Sequence, residues 1–171
     1  MDISNNIILI GMMGSGKSTV GQILANTLEL NFVDLDETIV QKQGMKIPEI
    51  FENFGETFFR TLESSIIDEL SDCRNKVIST GGGVVKDIQN LENLKKVGAV
   101  FYLSADSNTL YERIKGDINR PLLKTKTEFE QILNERENGY AQAHHKIDAT
   151  QKPQEIVQEI IEIFKGQRSW N

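Results

Sequence analysis

The chain has 171 residues, 39% of them hydrophobic and 26% charged, with a formal net charge of -6 and one cysteine. That length suits one domain with a full core, and the composition excludes a disordered, collagen-like or fibrous chain. The acidic balance speaks against binding nucleic acid or an anionic membrane, and the lone Cys73 permits no internal disulfide.

Short apolar runs alternate with helical spacings along the chain, the pattern of parallel strands joined by crossover helices. The first run, "IILI" at 7 to 10, leads directly into "GMMGSGKS" at 11 to 18, which fits G-x-x-x-x-G-K-[ST] between a strand and a helix. Glycines let the backbone take positive φ without a Cβ clash, so that successive N–H groups converge on phosphate oxygens at the positive end of the helix. The expected ATP cradle comprises Gly14, Ser15, Gly16, Lys17, Ser18 and Thr19. In it Lys17 reaches the β and γ phosphates and the Ser18 hydroxyl is a ligand of Mg²⁺. The alternative is a glycine turn that merely caps the helix bearing Val20, Ile23, Leu24 and Leu28.

The second strand is "FVDLD" at 32 to 36. Its two aspartates project from one side if strand geometry continues to the end. Asp34 is then assigned to the metal, through water, and Asp36 to the acceptor hydroxyl and its proton. An Asx turn in which Asp36 caps a helix starting at Glu37 is the alternative. Phe59, Leu62, Ile66 and Leu70 follow at helical spacing, with Arg60 beside them. Glu56 and Glu63 stand at i-4 and i+3 from Arg60, which also fits a solvated helix face with ordinary ion pairs.

A third strand, "KVIST" at 76 to 80, ends in Gly81, Gly82 and Gly83, either a flexible turn or a close approach of backbone to a ligand. After "AVFYL" at 99 to 103 comes a helix with Leu110, Tyr111 and Ile114, then "RIKGDINRPLLKTK" at 113 to 126, five basic side chains against one acid. Passing Gly116 and Pro121, this stretch should leave the helix as a mobile lid spanning about 113–126, or else as a solvated basic loop. Phe129, Ile132, Leu133 and Tyr140 form the next stripe, and Arg136 falls on it. A charge there wants a partner, either a ligand or an acid from elsewhere in the fold. His144 and His145 read as late positions of the same helix, without a catalytic role. "KIDA" at 146 to 149 is a weak fifth strand, and Ile156, Val157, Ile160, Ile161 and Phe164 mark a last helix before a tail, "GQRSWN", expected to fray. The fold expected is α/β: a three-layer α/β/α P-loop NTPase with a five-stranded parallel sheet, its ligands gathered along the edge where the strands end.

Taken together, "GMMGSGKST", "DLD" at 34 to 36, "GETFFRTLE" at 55 to 63, "STGGGVV" at 79 to 85, "RPLL" at 120 to 123 and "RENGY" at 136 to 140 resemble the shikimate kinase family, over nearly the whole chain. The resemblance implies transfer of the γ-phosphoryl group of ATP to the 3-hydroxyl of shikimate, on the route to chorismate and the aromatic amino acids. It also implies that Arg60 and Arg136 bind the substrate carboxylate, that Asp36 binds ring hydroxyls, and that Gly81, Gly82 and Gly83 bring backbone to the substrate, Gly82 most directly. Arg120 would close over the ATP phosphates, with Arg113 near the adenine or the phosphates. Where the family has an arginine at the adenine, this chain has "ATQKP", so Gln151 and Lys152 share that position.

Gluconate kinase or a nucleotide kinase on the same fold is the competing reading. An acidic pair at Asp34 and Asp36 fits a polyol better than a second phosphate, whereas gluconate, with its carboxylate and hydroxyls, is set aside only by the combined motifs. A module that binds ATP without turnover conflicts with the full set Lys17, Ser18, Asp34 and Arg120. No apolar run approaches the roughly 20 residues that span a bilayer, and "MDISNN" lacks the features of a signal peptide, so a cytoplasmic location is expected. No apolar stripe is left over for a partner, and a monomer is expected.

Overall fold

In the computed structural model, which describes residues 5–115 and 125–168, the described residues form five strands and seven helices. In chain order these are β1 (Ile7–Ile10), α1 (Lys17–Leu28), β2 (Asn31–Asp34), α2 (Leu35–Gln43), α3 (Ile47–Glu69), β3 (Lys76–Ser79), α4 (Ile88–Val97), β4 (Ala99–Ser104), α5 (Ser107–Ile114), α6 (Lys126–Tyr140), β5 (His145–Asp148) and α7 (Pro153–Arg168). The strands make one parallel sheet in the order β2-β3-β1-β4-β5, with Ile8 opposite Ile78 on one side and Val100 on the other. Every neighbouring pair is parallel, so all strands end at one edge.

The alternation of side chains along β1 explains the three layers. Ile8 and Ile10 enter one core with Ile66 and Ile67 of α3, Leu91 and Leu94 of α4, and Phe129 and Tyr140 of α6. Ile7 and Leu9 enter the other with Val20 and Leu24 of α1 and Ile156, Ile160 and Phe164 of α7. A strand covered on both faces can be apolar at every position, and β1 is buried throughout.

Several boundaries differ from the sequence expectation. β2 stops at Asp34, because the Asp34 side chain accepts hydrogen bonds from the Asp36 and Glu37 amides and so starts α2 at Leu35. The strand geometry that was to align Asp34 with Asp36 therefore ends before Asp36. The cap is Asp34, not Asp36. His144 and His145 are not late helical residues: α6 ends at Tyr140, His144 lies in the connection and His145 opens β5. The His144 Nδ1 accepts the Val100 amide at 3.0 Å. Helix α7 continues through Gly166 to Arg168, into the tail expected to fray. Within α3 the run is broken at Gly55 (φ 80°, ψ 173°), a conformation that a side chain strongly disfavours, so "GETFFRTLE" opens a new helical segment.

Candidate active site

The loop between β1 and α1 is held by its own glycines. Gly14 (φ 82°) and Gly16 (φ 88°) are left-handed, and a Cβ on Gly14 would lie 2.6 Å from the Leu110 carbonyl oxygen. Gly16 is the N-cap of α1 and lends no side-chain hydrogen bond, which leaves the first-turn amides to an anion. Lys17 is buried, its Nζ donating to the Gly11 and Met12 carbonyls at 2.8 and 3.1 Å. Its ammonium is thus folded into the loop that surrounds it. Ser15 is buried as well, while Ser18 and Thr19 face outward on the first turn of α1.

Beside this loop Asp34 works in two directions. Its Oδ1 caps α2, accepting the Asp36 and Glu37 amides at 3.0 and 3.3 Å, and its Oδ2 accepts the Ser18 hydroxyl at 3.0 Å. A hydroxyl and a carboxylate oxygen meeting at the mouth of the loop are the donor set that Mg²⁺ takes when it keeps most of its waters. Among the described residues no group of three or more acidic, His or Cys side chains could hold a metal ion, so a metal here would draw on few protein ligands.

The three glycines after β3 form a hub around which four charged side chains gather. A Cβ on Gly81 would stand 2.8 Å from Asp36 Oδ1 and 3.1 Å from Glu63 Oε1. One on Gly82 would lie 3.4 Å from Arg136 Nη1 and 3.4 Å from the Met13 amide nitrogen. One on Gly83 would lie 2.6 Å from Arg60 Cζ. Asp36, despite the early end of β2, is therefore brought to the same place as Arg60, Arg136 and the glycines. The Tyr140 hydroxyl donates to the Gly82 carbonyl and tightens the hub from α6; burial pushes its phenol up to about 12.

Arg60 makes both ion pairs that helical spacing allows, to Glu56 and to Glu63. Only the Glu56 arm is a solvated pair. Glu63 is 1% exposed, its Oε2 2.7 Å from Arg60 Nη1 and its Oε1 without a hydrogen-bond partner among the described residues. Burial raises the Glu63 carboxyl, against the lowering pull of Arg60. The sequence reading treated Glu63 as one arm of a surface pair and missed this. The available signal was its position: 63 falls four after Phe59 and three before Ile66, on the buried stripe itself. Arg136 is half-buried and forms no ion pair among the described residues; its Nη1 lies 3.6 Å from Met12 Sδ. The acid of the fold that the alternative called for is near but not in direct contact: the Arg136 charge pulls on the buried Glu63 carboxyl without forming an ion pair with it.

At the other end of the loop Arg113 donates to the Gly14 carbonyl at 3.2 Å and to the Ala149 carbonyl at 2.9 Å, tying the cradle to the end of β5. Gln151 follows that strand, its Nε2 donating to Glu159 Oε2 at 3.1 Å. Arg120 and most of the expected lid at about 113–126 lie outside the described residues.

The family model for shikimate kinase matches residues 13–165. The chain belongs to the shikimate kinase family. It is 46% identical to the shikimate kinase of Sulfurihydrogenibium sp. over 162 residues, 94% of this chain and 98% of that one. A solved structure of shikimate kinase from Acinetobacter baumannii in complex with shikimate superposes with a TM-score of 0.91 at 36% identity, covering 97% of this chain and 95% of the other. A gluconokinase from Sinorhizobium meliloti, 18% identical at a TM-score of 0.65 over 98% of this chain and 95% of its own, shares the fold alone. As a shikimate kinase family member the chain is a P-loop kinase, with the α/β architecture that its sequence led one to expect.

Proposed function

We propose that this chain transfers the γ-phosphoryl group of ATP to the 3-hydroxyl of shikimate, giving shikimate 3-phosphate and ADP. One observation carries the reading: Gly82 stands beside both the Met13 amide of the phosphate loop and the Arg136 guanidinium. A donor phosphate and an anionic acceptor held by those two groups would be neighbours, the condition for in-line transfer.

In this reading Arg60 and Arg136 bind the shikimate carboxylate through charge-assisted hydrogen bonds, with backbone at Gly81, Gly82 and Gly83 against the ring. Asp36 accepts a hydrogen bond from the attacking hydroxyl and takes its proton as the new P–O bond forms. Lys17 exchanges its contacts with the loop carbonyls for the phosphate oxygens and neutralises their charge. Gly14, Ser15, Gly16, Ser18 and Thr19 supply backbone donors. Arg113 and Gln151 serve the nucleotide side, and Arg120 stabilises the transferring group. Ser18 and Asp34, the latter through water, would hold Mg²⁺, which when bound offsets charge on the β and γ phosphates. The same reading takes the chain as a single kinase domain acting as a cytoplasmic monomer; among the described residues no helix is long and apolar enough to cross a membrane.

The test is a coupled ADP-release assay offering shikimate, quinate, gluconate and AMP in parallel, with and without Mg²⁺. Turnover with shikimate that requires the metal is expected; preference for another acceptor overturns the substrate assignment. Sedimentation of the same sample checks the monomer.

A further inference from the structure

The guanidinium of Arg60 meets carboxylates of its own helix at all three of its nitrogens. Glu63 Oε2 lies 2.7 Å from Nη1, and Glu56 Oε1 lies 3.3 Å from both Nε and Nη2. Each of the three nitrogens therefore faces an anionic oxygen, and the side-on fork that suits a planar carboxylate is held by Glu56. An arriving carboxylate that takes this side-on fork must displace Glu56 from it. Glu63 is 1% exposed and fixed in the core, whereas the side chain of Glu56 is 45% exposed and able to swing.

Glu56 also has somewhere to go. Lys86, on the short helical turn that follows Gly83, brings its Nζ to 2.5 Å from the same Glu56 Oε1. The Lys86 hydrogen bond is the largest influence holding the Glu56 carboxyl below its ordinary value, ahead of the pull from Arg60. One oxygen is thus shared between two cations, and the lysine contact is the shorter by 0.8 Å.

We propose that Glu56 is a positioning residue that occupies the acceptor-carboxylate fork of Arg60 in the empty site, and that Lys86 retains Glu56 when the acceptor displaces it. Glu56 keeps the guanidinium neutralised and aimed over Gly83 before substrate arrives, and competes with the substrate thereafter. Lys86 sets how strongly it competes. No covalent step is involved: one carboxylate leaves a guanidinium for an ammonium as another arrives, and the charge on Arg60 stays compensated throughout. The inference rests on the reading of Arg60 as an acceptor-binding residue.

Four variants decide it: Glu56→Gln, Lys86→Met, the double variant and Arg60→Lys, each with KM for shikimate and for ATP, kcat, and thermal midpoint. Half-exposed ion pairs of this kind change an equilibrium by about two- to fivefold. Glu56→Gln is expected to lower the shikimate KM by about that factor, with the ATP KM unchanged. Lys86→Met is expected to raise the shikimate KM, because Glu56 is then left to Arg60 alone, and the double variant should lose that rise. If Glu56→Gln raises the shikimate KM, or if Lys86→Met acts equally in both backgrounds, the proposal is overturned and the cluster is ordinary scaffolding. Arg60→Lys separates the two levels of inference. An unchanged shikimate KM in that variant refutes the assignment of Arg60 itself, whereas a large rise combined with no Glu56 effect refutes the competition alone.

Discussion

Gly83→Ala is the sharpest probe of the acceptor side. Gly83 sits at φ -96°, ψ 2°, a conformation open to alanine, so the substitution brings no backbone strain. Its effect must come from the new methyl, which would lie 2.6 Å from Arg60 Cζ and from Nη1. Nη2 would be closer still, and since ordinary contact between heavy atoms needs about 3.5 to 4.0 Å, the guanidinium must retreat by more than about 1 Å. A retreat of that size stretches the 2.7 Å bond from Nη1 to Glu63 Oε2 past hydrogen-bonding range, or drags Arg60 away from the hub. Losing one charge-assisted hydrogen bond costs about 1.5 to 3 kcal/mol, which is about a 10- to 150-fold fall in kcat/KM for shikimate. The three atoms nearest this methyl all belong to Arg60, and the ATP KM should hold within about twofold, a difference worth about 0.4 kcal/mol. The assay is coupled ADP release, with shikimate varied at saturating ATP and the reverse, beside a thermal melt. A folded Gly83→Ala enzyme with unchanged shikimate kinetics would refute the placement of Arg60 over Gly83 as a functional feature.

Three further outcomes follow from the same geometry. Lys17→Ala should abolish phosphoryl transfer in an enzyme that still folds, because it removes the ammonium that the loop holds by the Gly11 and Met12 carbonyls; retained turnover would contradict the cradle. Asp34→Asn keeps an oxygen able to cap α2 but removes the charge, so it should raise the Mg²⁺ requirement at little cost in stability. Asp34→Ala should in addition lose about 0.5 to 2 kcal/mol of stability with the cap, and equal melts for the two would break this division of labour. His144 must be neutral at Nδ1 to accept the Val100 amide, and burial, then the Lys95 charge and His145, depress its pKa from the ordinary 6.5. A depressed folded value means the unfolded chain binds the proton more readily. The stability it contributes is therefore present above about pH 6.5 and lost as pH falls through the lower folded value. Melts between pH 7.5 and 5 should fall less steeply for His144→Asn, which can accept through Oδ1; an unchanged slope would remove His144 from the account.

The phosphate loop was legible because its information is local. Gly14, Gly16, Lys17 and Ser18 act within one turn, and the strand before them and helix after them are visible as apolar runs. Asp34 and Asp36 were found but misplaced relative to one another. Alternation in "FVDLD" reads as strand to its end, and only the competition between a further ladder position at Leu35 and two capping bonds to Asp34 decides that the helix starts first. The early α6 terminus before His144 was hidden in the same way, since nothing in "YAQAHH" is a strong helix breaker.

What the sequence could not supply is the reason for three consecutive glycines. A missing Cβ announces that something comes close, not what comes or from where. In the fold the space beside Gly81 is taken by Asp36 and Glu63, that beside Gly82 by Arg136 and the phosphate loop, and that beside Gly83 by Arg60. Those groups come from α2, α3, α6 and the β1–α1 loop, separated by as many as 123 residues from Met13 to Arg136, and no periodicity within one helix reports on them. The charges themselves could be read, each with an innocuous local explanation: a cap for Asp36, helical ion pairs for Arg60, a fold partner for Arg136. Such explanations survive only while each element is considered alone. Once β3 is threaded between β1 and β2, the glycine turn is the one place where all four side chains can converge, and a single methyl on any of the three glycines tests a contact that no one helix contains.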